Sequence, residues 1–93
     1  MSNDENTWIV LYEYVDGMME KRTPHRERHL ARIHAEREAG HLLIAGAYGD
    51  GPDGGAFGFR GVDRAEVERF VAGDPYVEHD LVIRHTIAPW KLV

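Results

Sequence analysis

The sequence predicts an α+β fold in which two helices cover one antiparallel four-stranded sheet. Four segments are rich enough in β-branched and aromatic residues to be strands, and two carry helix start and stop signals. Their order along the chain is β-α-β-β-α-β, the split βαβ arrangement. At 93 residues the chain has room for one domain with one modest core. A core that small gains from covering apolar surface with a second copy, so a homodimer would be unsurprising.

Residues 7–15 (TWIVLYEYV) form the first strand. Both alternating sets, Trp8/Val10/Tyr12/Tyr14 and Ile9/Leu11/Val15, are largely apolar, which predicts a central strand covered on both faces. Asp16-Gly17 ends it with a turn. Thr23 then offers a helix N-cap and Pro24 a first helical residue whose missing N–H costs nothing, so a helix is expected over 23–39, closed by Gly40. Its apolar stripe is thin: Leu30 and Ile33, bordered by Arg26 and Arg37. That pattern suits a helix that covers a sheet and also borders a cleft.

Residues 41–48 (HLLIAGAY) read as the second strand, 49–55 as a glycine-rich hairpin loop, and 56–61 (AFGFRG) as the returning strand. Phe57 and Phe59 share one face of that strand, while Gly58 and Gly61 weaken it or admit another group closely. Asp63 and Glu66 have capping-box spacing, and Val62 and Val67 sit where a hydrophobic staple would place them. Val67, Phe70 and Val71 then give the stripe of a short amphipathic helix that Gly73 closes. Asp74 must leave the helix because it precedes Pro75. Residues 81–87 form the last strand, which Pro89-Trp90 ends or bends. The whole is a ferredoxin-like βαββαβ sandwich over residues 7–93, preceded by a polar, disordered N-terminus at 1–6.

Net charge is −5 and the pI about 5.6, with arginines interleaved among glutamates, so no nucleic-acid partner is expected. The longest apolar run, residues 42–45, is far short of a membrane span. Residues 1–6 have neither the basic end nor the apolar core of a signal peptide. The chain has no cysteine, which removes disulfides, thiolate chemistry and cysteine zinc sites. A soluble cytoplasmic protein is the expectation.

The residue types that best support chemistry are His29, on the first helix, and Asp74, just after the second. A carboxylate that accepts one imidazole N–H fixes the tautomer and leaves the other nitrogen for a substrate. Six histidines and sixteen acidic residues make some such pair expected by chance, and Asp74 can equally accept local backbone N–H groups in an Asx turn. His25-x-x-x-His29 has a metal-binding spacing, but two ligands do not make a site, and the intervening Glu27 is misplaced for the zinc-protease pattern. No metal and no cofactor are expected. Of Arg26 and Arg28, Arg26 shares the face of Leu30 and Ile33 and is the better candidate for a substrate anion; the plain alternative is a solvated face of Arg–Glu pairs. Tyr12, Tyr48 and Tyr76 are candidates to line the cleft, each with core or rim packing as the plain alternative. The 49–55 segment lacks the ending of a phosphate loop and precedes a strand.

Five further features stand in a consistent order: Arg26-x-x-His29-Leu30, Gly40-x-Leu42-Leu43-x-Ala45-Gly46, Asp53-Gly54-Gly55, Asp74-Pro75-Tyr76-Val77 and Ile87-x-Pro89-Trp90. Together with the opening strand, these resemble the YciI-like (YCII-related) family over about residues 7–93. Two departures are Ala47, where many relatives have Pro, and the glycines that interrupt the third strand. The resemblance implies sheet-to-sheet dimers of the dimeric α/β-barrel type and an active centre formed by His29 and Asp74. It also implies relatives that act on chlorinated hydroxyquinones, and muconolactone isomerases on the same scaffold. The expected function is a small cofactor-independent enzyme that moves a proton on a small organic acid or hydroxylated ring, in lyase, isomerase or dehydrochlorinase fashion. The alternative is a non-catalytic dimer that binds a small metabolite.

Overall fold

The structure is a computed structural model that describes residues 6–93. The expected disorder of 1–6 lies outside the described residues except for Asn6, whose carbonyl accepts the Gly61 N–H. Strands β1 (Thr7–Tyr14), β2 (Leu42–Tyr48), β3 (Gly54–Arg60) and β4 (Val82–Pro89) form one sheet in the order β2-β3-β1-β4. Every neighbouring pair is antiparallel. The strand order is that of the split βαβ unit, and the sheet stays open, with β2 and β4 as its two edges.

Helix α2 (Arg26–Glu38) and helix α3 (Arg64–Gly73) lie on one face. Arg32 holds them together by donating to the Phe70 carbonyl at 2.7 Å while its guanidinium sits over the Phe70 ring. Val10, Tyr12, Phe57 and Phe59 rise from the sheet to meet Ile33, Val67, Phe70 and Val71, forming the core. The capping box is present: Asp63 accepts from the Glu66 N–H, and Glu66 accepts from the Asp63 N–H. Val62 and Val67 are both buried, as the staple requires.

The structure corrects several local expectations. The Thr23-Pro24 start opens a 3-10 turn (Thr23–His25), so the α-helix begins two residues late, at Arg26. Two unforeseen four-residue helices, α1 (Met18–Lys21) and α4 (Pro75–Glu78), fill connections. A single turn carries too little periodicity to be seen in sequence. Helix α2 buries His29 and Ile33 and leaves Leu30 half-buried, a rotation from the expected Leu30/Ile33 stripe.

The central strand is covered on one face only. In its second set Leu11 is 37% exposed, Ile9 is half-buried, and Val15 is half-buried against the core. Strand β2 has a register irregularity between Leu42 and Ile44, so Leu42 is buried while Ile44 is 63% exposed on the helix-free face. A shift of one residue exchanges the faces of everything that follows. Trp90 lies across that same face: a Cβ at Gly58 would stand 3.1 Å from both the Trp90 ring and Ile44. Gly58 is thus the close-approach position that its place in a strand suggested.

Candidate active site

Asp74 is set by the end of α3. Its backbone is extended, it caps both α3 and α4, and its side chain accepts the Tyr76 N–H at 3.0 Å. The Asx-type local bond is therefore real, and it leaves two further acceptor positions on the carboxylate. His29 Nδ1 stands 2.8 Å from Asp74 Oδ1, and the Tyr12 hydroxyl donates to Oδ2 at 2.8 Å. Three donors meet the two oxygens, which is the demand of an ionised carboxylate. The carboxylate is 1% exposed and His29 5%, so the pair is shielded from bulk water.

With Nδ1 donating to Asp74, the imidazole is held in one tautomer, and Nε2 has no protein partner among the described residues. The Tyr76 ring stacks on the imidazole, with centroids 3.7 Å apart and planes at 9°, and Phe57 meets it edge-on. These contacts fix the ring plane. His29 lines a cleft of about 230 Å³ between α2, α4 and the β2–β3 end of the sheet. Leu30, Ile33, Ala45, Ala47 and Phe57 give the cleft its apolar walls, and Arg22, Arg26 and Arg37 surround it. A larger groove of about 610 Å³, around Leu11, Glu13, Tyr48 and Ile83, contains no imidazole.

The structure brings together His29, Asp74, Arg26 and Tyr76 of the sequence candidates. Tyr12 and Tyr48 it places elsewhere. Tyr12 is buried behind Asp74, where it acts on the carboxylate. Burial, and then the Asp74 charge, push its hydroxyl far above its ordinary value, so it remains a donor. Tyr48 lies on the helix-free face and crosses Gly54 to donate to the Tyr12 carbonyl at 3.1 Å. The β2 irregularity is the reason, since it sends Ala45 and Ala47 to the cleft side and Tyr48 to the other. Tyr14, Arg22, His34 and Arg37 line the cleft without having been singled out as substrate contacts. Tyr14 was legible in principle, because it alternates in phase with Tyr12.

The two imidazoles of His25-x-x-x-His29 serve different neighbours. The His25 ring stacks on His79 at 3.9 Å and approaches Arg28. Partial desolvation, then His79 and Arg28, hold it below its usual value. Among the described residues no three His, Cys, Asp or Glu side chains converge as a metal site. Nor is any helix among them long and apolar enough to cross a membrane.

Residues 7–91 match the model of the YCII-related domain. The chain belongs to the YCII-related family. A similar solved structure is 5-chloro-2-hydroxyhydroquinone dehydrochlorinase of Burkholderia phenoliruptrix AC1100 in complex with 2,5-dihydroxybenzoquinone. It aligns with a TM-score of 0.80 at 19% identity, over 94% of this chain and 95% of that one. PA3566 from Pseudomonas aeruginosa aligns with a TM-score of 0.56 at 18% identity, over 96% and 94% of the two chains. At these identities the likeness is one of fold. Comparison with curated protein sequences gives no match. For a YCII-related chain, then, the buried His29–Asp74 pair beside a cleft is the feature with chemical content.

Proposed function

We propose that this YCII-related protein is a small cofactor-independent enzyme that transfers a proton on a small organic acid or hydroxylated ring. The observation that carries this reading is the 2.8 Å contact between His29 Nδ1 and Asp74 Oδ1 at the wall of the cleft. His29 Nε2 takes the substrate proton, Asp74 stabilises the imidazolium through Nδ1, and Arg26 contacts the substrate's negative charge. The proton then returns at another position, as in an isomerase, or a leaving group departs, as in a lyase. The fold shared with a dehydrochlorinase and that protein's hydroxylated quinone ligand support a dehydrochlorinase-like elimination on a hydroxylated ring as the version to test first.

The active form is proposed to be a homodimer joined through the helix-free sheet face. Leu11, Ile44 and Ile83 are exposed there, and Trp90 lies beside Ile44. Apolar area on this scale is what a second copy would cover.

Turnover of chlorinated and hydroxylated hydroquinones by the wild type and by His29→Ala tests the reading. The expected result is a loss of about 10²- to 10⁴-fold in kcat with most ligand affinity kept. Tight binding without turnover by the wild type would leave a metabolite-binding protein, and undiminished turnover by His29→Ala would remove His29 as the base.

A further inference from the structure

The Tyr76 hydroxyl is buried and has no hydrogen-bond partner among the described residues. Leaving such a group unmade costs more than making it gains, so an unpartnered hydroxyl beside a cleft calls for an explanation. Its surroundings supply one. The charges of Arg26 and Arg22 act on its oxygen, with Arg26 placed to donate to it, and neither guanidinium can accept the O–H proton. No Asp or Glu lines the cleft, and none of Arg22, Arg26 and Arg37 has a carboxylate partner among the described residues. The polar lining of the cleft is therefore complementary to an acceptor that carries negative charge.

We infer that the Tyr76 hydroxyl, flanked by Arg22 and Arg26, is an oxyanion-binding donor beside His29, and that the cleft takes an enolate- or phenolate-forming ligand in its anionic form. The inference rests on the reading of His29 as the base and names the substrate class for that site. Tyr76 stacks directly on the imidazole, and both residues line the cleft. A carbonyl compound fits both groups. As Nε2 takes the proton from the carbon next to the carbonyl, that C–H electron pair becomes a C=C bond and the carbonyl π pair moves onto oxygen. The resulting oxyanion accepts the Tyr76 hydrogen bond and faces the two guanidiniums. Return of the proton from the imidazolium to another atom of the enolate restores neutral His29. Burial raises the Tyr76 hydroxyl above its ordinary value against the pull of Arg26 and Arg22, which keeps the O–H protonated and able to donate.

The test uses 4-nitrophenolate, an oxyanion whose absorbance reports its environment, and its uncharged methyl ether 4-nitroanisole. The wild type is expected to bind the phenolate saturably and the ether weakly, and Tyr76→Phe to bind the phenolate about tenfold or more less tightly. The Tyr76→Phe thermal midpoint is expected to be equal or higher, because a buried O–H without an acceptor contributes nothing to the fold. Equal phenolate affinity in Tyr76→Phe, equal binding of the ether, no saturable binding by the wild type, or a lowered midpoint that reveals a structural partner would each overturn the inference. Equilibrium binding involves no proton abstraction. A failure here is therefore separate from a failure of His29 as base, which turnover by His29→Ala reads.

Discussion

The two faces of one strand do different work. On β1, Val10, Tyr12 and Tyr14 point under the helices and are buried, while Leu11, one residue out of phase, is 37% exposed. The covered face pays for its polar groups with partners: the Asp74 carboxylate meets three donors, and the imidazole of His29 is held by one bond and two rings. The open face has the reverse character, with large apolar side chains and few polar links, the Tyr48–Tyr12 bond and the exposed Arg84–Glu13 pair among them. Substitutions on the covered face should therefore act on stability and chemistry within the monomer. Those on the open face should act on association.

The sharpest way to break the contrast is Asp74→Ala. It strands the Tyr12 hydroxyl, the His29 Nδ1–H and the Tyr76 N–H in a site closed to water. The expected loss is about 3–5 kcal/mol, read from the urea midpoint, and a change below about 1 kcal/mol would mean that the pair does not organise this face. Since whole domains are stable by only about 5–15 kcal/mol, the variant should be marginal.

Tyr12→Phe tests the layer behind the pair. At neutral pH, loss of its bond to a charged acceptor should cost about 1.5–3 kcal/mol. The pH dependence has a definite sign. Burial and Asp74 raise the Tyr12 hydroxyl in the folded state above its ordinary value of 10.0, so the stabilisation is full below that pH and declines as pH rises past it. Unfolding curves should show the wild type weakening above about pH 10, where the free tyrosine ionises, and Tyr12→Phe weakening less. Parallel curves would show that Tyr12 is not the group responsible.

The smallest effect on the monomer belongs to the open face. Ile44→Ser, at a side chain 63% exposed, should change unfolding free energy by no more than about 0.5 kcal/mol. Its expected consequence is a shift in sedimentation mass from dimer toward monomer at micromolar concentration. An unchanged dimer would move the proposed interface elsewhere, and a wild-type monomer would remove it.

Local signals in the chain determined the element order, the α3 capping box and staple, and the glycine stops after α2 and within α3. Each depends on residues within a turn of one another, which is why they could be read without a fold. The His29 and Asp74 candidates were legible as residue types and through the family resemblance. Their contact, across 45 positions of sequence, was not. Tertiary structure decided the rest. The rotation of α2 brought His29 rather than Leu30 inward, and the β2 irregularity sent Tyr48 away from the cleft while Tyr12 settled behind the carboxylate. These are questions of which face a side chain takes, and a one-residue change in register or a small helix rotation reverses the answer. Hydrophobic burial across the whole sheet settles that choice, and no short stretch of sequence contains it.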